Sequence, residues 1–328
     1  MSAGERVRVA VVGTGDFGRN HVRVYKHLED AELVGVVDLN HERARVVAEE
    51  FSTSVLSGVD ALPGKVDAVT VAVPTRDHAA IGCWLLENGI DVLVEKPMAA
   101  SLAEADSLMS SASRHGRVLQ VGHLERFNPG VQAVLPIVNR PLYFEIDRLG
   151  VFSPRSLDID VVYDVMIHDL DILLAMVDSP VAEIRALGIP VVTDKVDIAH
   201  AHLEFESGAV ASLSASRVSI ERVRKLRFFQ HQEYFSVDYA RKDALRIRVL
   251  QPGPQPQFDF QQLPVAKHEP LEAELRSFLD AVKRRAKPIV DGAAGRGALE
   301  LADRVMAGIL EHGRRVQLGD FATPRAIP

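Results

Sequence analysis

The stretch VRVAVVGTGDFG, residues 7 to 18, constrains the fold most. A short β-rich run ends in Gly13-x-Gly15-x-x-Gly18, and a helical stretch, RNHVRVYKHLED, follows directly. Gly13 permits a tight turn, Gly15 lets the main chain approach a pyrophosphate, and Gly18 allows close helix–strand contact. Phosphates at that helix N-terminus meet free N–H groups and the favourable end of the helix dipole. Asp16 and Phe17 belong to the same turn and are expected beside the ligand. The alternation continues through AELVGVVD, HERARVVAEEF, VDAVTVAVP, HAAIGCWLLENG, IDVLVEKP, SLAEADSLMSSASRHG and RVLQVGH. Ser101 opens the last of these helices, and Gly89 closes the one before it. Nearly wholly apolar strands alternating with helices imply a doubly wound parallel sheet covered on both faces.

After about residue 123 the pattern changes. LYFEIDRLG, AEIRALGIPV, DIAHAHLEFESGAVASLSASRV, RKLRFFQ, EYFSVDYA and ALRIRVL follow one another as strand-like runs joined by turns. Helices are sparse: one after Phe127, one over VVYDVMIHDLDILLAM, and a C-terminal pair. The chain therefore reads as an α/β Rossmann domain, residues 1–122. An α+β domain with a large, mostly antiparallel open sheet, residues 123–328, follows it. The C-terminal helices have the length to return to the first domain. PGPQPQF, residues 252 to 258, reads as a Pro-rich connector inside the second domain.

A net charge of −7 over 328 residues argues against wholesale nucleic-acid binding. The single cysteine, Cys83, excludes an internal disulfide framework and fits a reducing compartment. No apolar run approaches the ~18 residues needed to cross a bilayer. The N-terminal residues lack a signal core, so a cytoplasmic location is expected. Twelve histidines are scattered without HExxH or CxxC spacing, so no metal is expected.

Asp38 ends the second strand twenty residues after Gly18. A carboxylate there accepts from both ribose hydroxyls and repels a 2′-phosphate, which favours NAD over NADP. Arg43 nearby softens that preference. Pro74 and Thr75 end the third strand, where open α/β sheets collect their ligands. His78 follows in a first helical turn, facing either the cofactor or solvent.

The fourth strand ends in Glu95-Lys96-Pro97. Pro97 fixes the backbone as the chain leaves the sheet, so Lys96 projects from a rigid strand end beside the nicotinamide position. In VVYDVMIHDLDILLAM, residues 161 to 176, four polar residues interrupt an aliphatic helix, and buried charge needs a partner or a task. At about 100° per residue, Asp164, His168 and Asp171 fall within an arc of roughly 60°, with Asp169 elsewhere. The cluster reads as a histidine base pinned by carboxylates.

GTGDFG, VAVPTRDH, VLVEKPMA and the Asp164-x-x-x-His168 pair resemble the Gfo/Idh/MocA oxidoreductases over essentially the whole chain. The resemblance implies NAD- or NADP-dependent oxidation of a hydroxyl on a sugar or polyol, with Lys96 and His168 in the active site. QVGHLERFNPG and VVYDVMIHDLDILL look like the branch that oxidises the 3-hydroxyl of UDP-N-acetylglucosamine. Val161-Val162-Tyr163 stand where many members carry glycines, which separates this chain from the inositol enzymes. On this reading the catalytic residues are Lys96, His168 and Asp164, with either His168 or Lys96 as the base. Glu95 and Lys96 line the cofactor, Asp171 contacts a sugar hydroxyl, and Arg126, Asn128, Arg148, Arg155 and Arg217 are candidates to hold a diphosphate. A small-molecule substrate and a homo-oligomer, dimer or tetramer, complete the expectation.

Overall fold

The structure is a computed structural model that describes residues 5–153 and 159–316. The chain forms two compact units, Met1–Phe127 with His268–Leu299 and Asn128–Lys267 with Glu300–Pro328.

The first unit is built on β1 (Val7–Val12), α1 (Asp16–His27), β2 (Ala31–Val37), α2 (His41–Phe51), β3 (Ser54–Val55), β4 (Ala68–Val71), α3 (His78–Glu87), β5 (Asp91–Glu95), α4 (Leu102–His115) and β6 (Leu119–Gly122). All its strand pairs are parallel, in the order β3-β2-β1-β4-β5-β6. Order reverses between β1 and β4, the switch point at whose carboxyl ends such sheets bind ligands. Strands β4 and β5 are buried at every residue, as the near-continuous apolar runs required.

The second unit contains α5 (Pro129–Val134), β7 (Tyr143–Leu149), α6 (Ile167–Met176), β8 (Val181–Ile189), β9 (Ile198–Phe205), β10 (Val210–Ser216), β11 (Val223–Gln230), β12 (Glu233–Asp238), β13 (Asp243–Gln251) and β14 (Gln257–Gln262). Its sheet runs β14-β13-β12-β11-β7-β10-β9-β8, and only the β7–β10 pair is parallel. In β9 and β10 buried and half-buried residues alternate, the mark of a sheet with one covered face. The connector read at 252 to 258 is shorter than expected. Gln257 and Phe258 already pair in β14, which closes a hairpin onto β13.

Helix α7 (Pro270–Arg284) belongs to the first unit. Its Leu271, Leu275, Phe278, Leu279 and Val282 share one core with Val9 and Val11 of β1 and Val22 and Tyr25 of α1. Helix α8 (Gly292–Arg315) begins in the first unit and ends in the second. Among the described residues no helix is long and apolar enough to cross a membrane.

Candidate active site

The glycine turn separates three tasks by available space. A Cβ on Gly13 would sit 2.4 Å from the Ala72 carbonyl oxygen, and its φ is +92°. A Cβ on Gly18 would sit 1.9 Å from the Gly13 oxygen. Neither position admits a side chain. A Cβ on Gly15 would meet nothing within 4 Å. Gly15 is the N-cap of α1 and makes no side-chain cap bond, and the space at its Cβ position is open. Asp16 and Phe17 are exposed in the first turn beside it. This cradle fits the pyrophosphate of a dinucleotide.

Asp38 follows β2 and is nearly buried. Its Oδ2 accepts from Thr14 N–H at 2.7 Å and Thr14 Oγ1 at 2.8 Å, and its Oδ1 accepts from Asn40 N–H at 2.8 Å. Arg43 Nε and Nη2 reach the same carboxylate at 3.1 and 2.9 Å. Burial pushes the Asp38 pKa up, but the Arg43 guanidinium and the Thr14 and Asn40 donors outweigh it and hold it at about 2.

Pro74 and Thr75 open the short 3₁₀ turn that leads from β4 to α3. His78 does not face solvent. It is buried, with Nδ1 2.9 Å from the Pro97 carbonyl oxygen and Nε2 2.9 Å from that of Val73. Its ring therefore bridges the carboxyl end of β4 and the turn that carries Lys96. Burial holds its pKa below the usual histidine value, against the two carbonyls, which favour ring N–H groups; a neutral ring donates to one of them at a time. Lys96 is half-buried at the end of β5, and the Lys96–Pro97 peptide is cis. Glu95 is nearly buried, accepting from Lys96 N–H at 3.2 Å and meeting His21 Nε2 at 2.9 Å.

In the second unit the helical stretch is not a single α-helix. Val162–Met166 form a π turn, with Ile167 N–H donating to the Val162 oxygen, before α6 begins. The step of about 100° per residue drawn from the sequence applies from Ile167 onward, and the i→i+5 turn before it has a smaller step per residue. Asp164 and His168 are half-buried, whereas Asp169 and Asp171 are buried. Asp169 binds Arg148 through two contacts, Nε to Oδ2 at 2.8 Å and Nη2 to Oδ1 at 2.7 Å. Arg148 also lies over the Tyr239 ring, 4.7 Å from its centre.

Other candidate cations have structural ties. Arg217 Nε donates to Asp197 at 2.7 Å, and Arg217 Nη1 to the Ile159 oxygen at 2.7 Å. Asn128 caps α5, accepting from Gly130 N–H while its amide donates to the Tyr239 oxygen. Arg126 is half-buried in the 3₁₀ turn after β6. Arg155 lies outside the described residues.

Known proteins resemble this chain in sequence and fold. A family model described as oxidoreductase family, NAD-binding Rossmann fold, matches residues 7–123, and the model of that family's C-terminal domain matches 150–231. UDP-N-acetylglucosamine 3-dehydrogenase of Acidithiobacillus ferrooxidans is 38% identical over 307 residues, 92% of this chain and 97% of that protein. The chain belongs to the Gfo/Idh/MocA oxidoreductases. A solved structure of the same dehydrogenase matches with a TM-score of 0.88 and 37% identity, covering 93% of this chain and 97% of the other. The scyllo-inositol 2-dehydrogenase (NAD(+)) of Bacillus subtilis is 31% identical over 234 residues, 65% of this chain and 68% of that protein.

As a Gfo/Idh/MocA member the protein is an oxidoreductase whose Rossmann domain takes a nicotinamide dinucleotide. The structure brings Gly13, Gly15, Gly18 and Asp38 together at the switch point, and joins Pro74, His78, Glu95 and Lys96 at adjacent strand ends. Sequence reasoning missed His21 and Glu274, which flank Glu95. Both carried a signal. His21 lies between Gly18 and Tyr25 on the buried stripe of α1, and Glu274 between Leu271 and Phe278 on that of α7.

Proposed function

We propose that the protein oxidises the 3-hydroxyl of UDP-N-acetylglucosamine, or of a related UDP-amino sugar, to a 3-keto sugar with NAD. The observation that carries this reading is the 38% identity over nearly the full length of both chains to an enzyme of that name. Lys96, Asp164 and His168 supply the groups the chemistry needs. Bound NAD accepts the hydride from the sugar carbon. The attached hydroxyl must lose its proton, and His168, whose ordinary pKa lies nearest neutrality, is the base. Asp164 orients the imidazole, and Lys96 donates a hydrogen bond to the oxygen on which negative charge develops. Asp171 and Arg126 serve the sugar and diphosphate, whereas Arg148 and Arg217 are committed to Asp169 and Asp197.

NAD rather than NADP is favoured by the Asp38 carboxylate, ionised at any working pH. The half-open β8–β14 sheet carries exposed Leu187, Ile189 and Phe229, which supports a homo-oligomer.

The test incubates purified protein with NAD or NADP and a panel of UDP-sugars and free polyols, following nicotinamide reduction. Reduction with UDP-N-acetylglucosamine and NAD is expected. The inositol dehydrogenase relative favours a second reading, oxidation of a free polyol. Turnover of inositol with no turnover of any UDP-sugar establishes that second reading and removes the first.

A further inference from the structure

Behind Lys96, inside the first unit, lie two carboxylates and an imidazole from three elements. His21 of α1 and Glu274 of α7 are fully buried, and Glu95 of β5 nearly so. One ligating atom from each falls within 4.8 Å of the others. Glu95 has donors on both sides, His21 Nε2 at 2.9 Å and Lys96 N–H at 3.2 Å. It also has a wall beneath it, since a Cβ on Gly122 would come within 2.8 Å of its Oε1. Neither side-chain oxygen of Glu274 has a hydrogen-bond partner among the described residues. Tyr25 is engaged by Thr70 at 2.9 Å, and the Gln120 amide reaches the Glu274 main-chain oxygen, not its side chain. His78 is held by two carbonyls.

Two buried carboxylates this close cannot both stay ionised without a neutralising partner. Glu95 has the donors that favour a carboxylate, and the Glu274 side chain has none among the described residues. We propose that Glu274 is a positioning residue that holds the one proton of this carboxyl pair. It thereby keeps Glu95 as the single negative charge anchoring the Lys96 main chain. Burial and the neighbouring Glu95 both push the Glu274 pKa well above the ordinary carboxylate value, in the direction this requires. Loss of that proton sets a second charge against Glu95 and loosens its hold on Lys96 N–H. The link to turnover rests on the reading of Lys96 given above, whereas the proton does not.

Infrared spectra of the full chain and of Glu274→Gln test the proton directly. The wild type is expected to show the C=O stretch of a protonated carboxyl that Glu274→Gln loses and Lys96→Ala keeps. In the wild type alone the band fades as pH is raised, a readout that needs no variant to fold. A raised native pKa gives stability that is full below the unfolded value and is lost as pH rises through the native one. The Tm of Glu274→Gln should therefore climb relative to wild type as pH rises above the ordinary carboxylate range. Its alkaline limb of kcat should move up by at least about one pH unit. Absence of the band, a Tm difference flat with pH, or a stoichiometric divalent metal that Glu274→Gln loses overturns the proposal. The band and the Tm slope involve no substrate, so they stand or fall apart from full turnover in Lys96→Ala, which would sink the catalytic reading.

Discussion

Arg43 grips Asp38 through both oxygens, Nε to Oδ2 at 3.1 Å and Nη2 to Oδ1 at 2.9 Å. The pair ties the start of α2 to the end of β2 and leaves a half-exposed guanidinium against a buried carboxylate. On the proposed NAD preference Asp38 acts twice: its charge repels a 2′-phosphate, and it occupies the cation that would attract one.

Asp38→Ser removes both effects at once. The ratio of kcat/KM for NADP to that for NAD should rise by at least ~30-fold. That corresponds to about 2 kcal/mol, the scale of a hydrogen bond to a charged group. The Asp38 pKa of about 2 places its titration far below working conditions. The wild-type preference should therefore be flat from about pH 7 to about pH 9, above the second ionisation of a 2′-phosphate at about pH 6. A preference that changes across that window assigns it to another group.

Lys96→Ala and His168→Ala should each lower turnover by at least ~100-fold while NAD still binds. Rate measurements at saturating cofactor, with a separate NAD titration by fluorescence, check both halves. Near-normal turnover in either variant removes that residue from the chemistry. A steeper acid limb in wild type than in His168→Ala would mark the imidazole as the base, since a histidine base is disabled by protonation.

The glycine turn and the strand ends were legible because their signals are local: a short β run, three spaced glycines, an acid at the next strand end, and Glu95-Lys96-Pro97. The parallel order of the first sheet followed from burial on both faces. Legibility failed where structure departs from a regular period or joins distant segments. The π turn at Val162–Met166 breaks the 3.6-residue repeat on which the helical wheel depended. Strand β14 starts inside a stretch whose prolines read as a connector. His21, Glu95 and Glu274 meet from three elements, the first pair 74 residues apart, and no local pattern links them. What the sequence did show was one polar residue on each of two otherwise apolar helical stripes.

Gly15 and Gly18 should separate binding from folding. Gly18→Ala forces a Cβ to 1.9 Å from a main-chain oxygen that cannot swing away. It should cost more than ~3 kcal/mol or prevent folding. Gly15→Ala enters open space at a φ of −62° that alanine accepts, so its Tm should stay within about 2 °C of wild type. Its methyl group occupies the position a pyrophosphate approaches, and NAD affinity should fall by ~10-fold or more. Thermal melts and NAD titrations of the two variants measure this. Unchanged affinity in Gly15→Ala would move the dinucleotide away from this turn.

Arg148 and Asp169 form a buried pair, with relative exposures of 5% and 1%. Removing one partner takes the bidentate contact away from the other. Asp169→Asn leaves the guanidinium over Tyr239 without its bidentate carboxylate and should cost ~3–5 kcal/mol in urea unfolding. Replacing both, as Arg148→Met with Asp169→Leu, takes two charges out of a low-dielectric site and should recover most of that stability. The same experiment assigns the arginine's role. If Arg148 serves the fold, the stable double variant keeps the wild-type KM for the sugar nucleotide. If it instead holds the diphosphate, KM rises by ~10-fold or more in a protein whose stability has been restored.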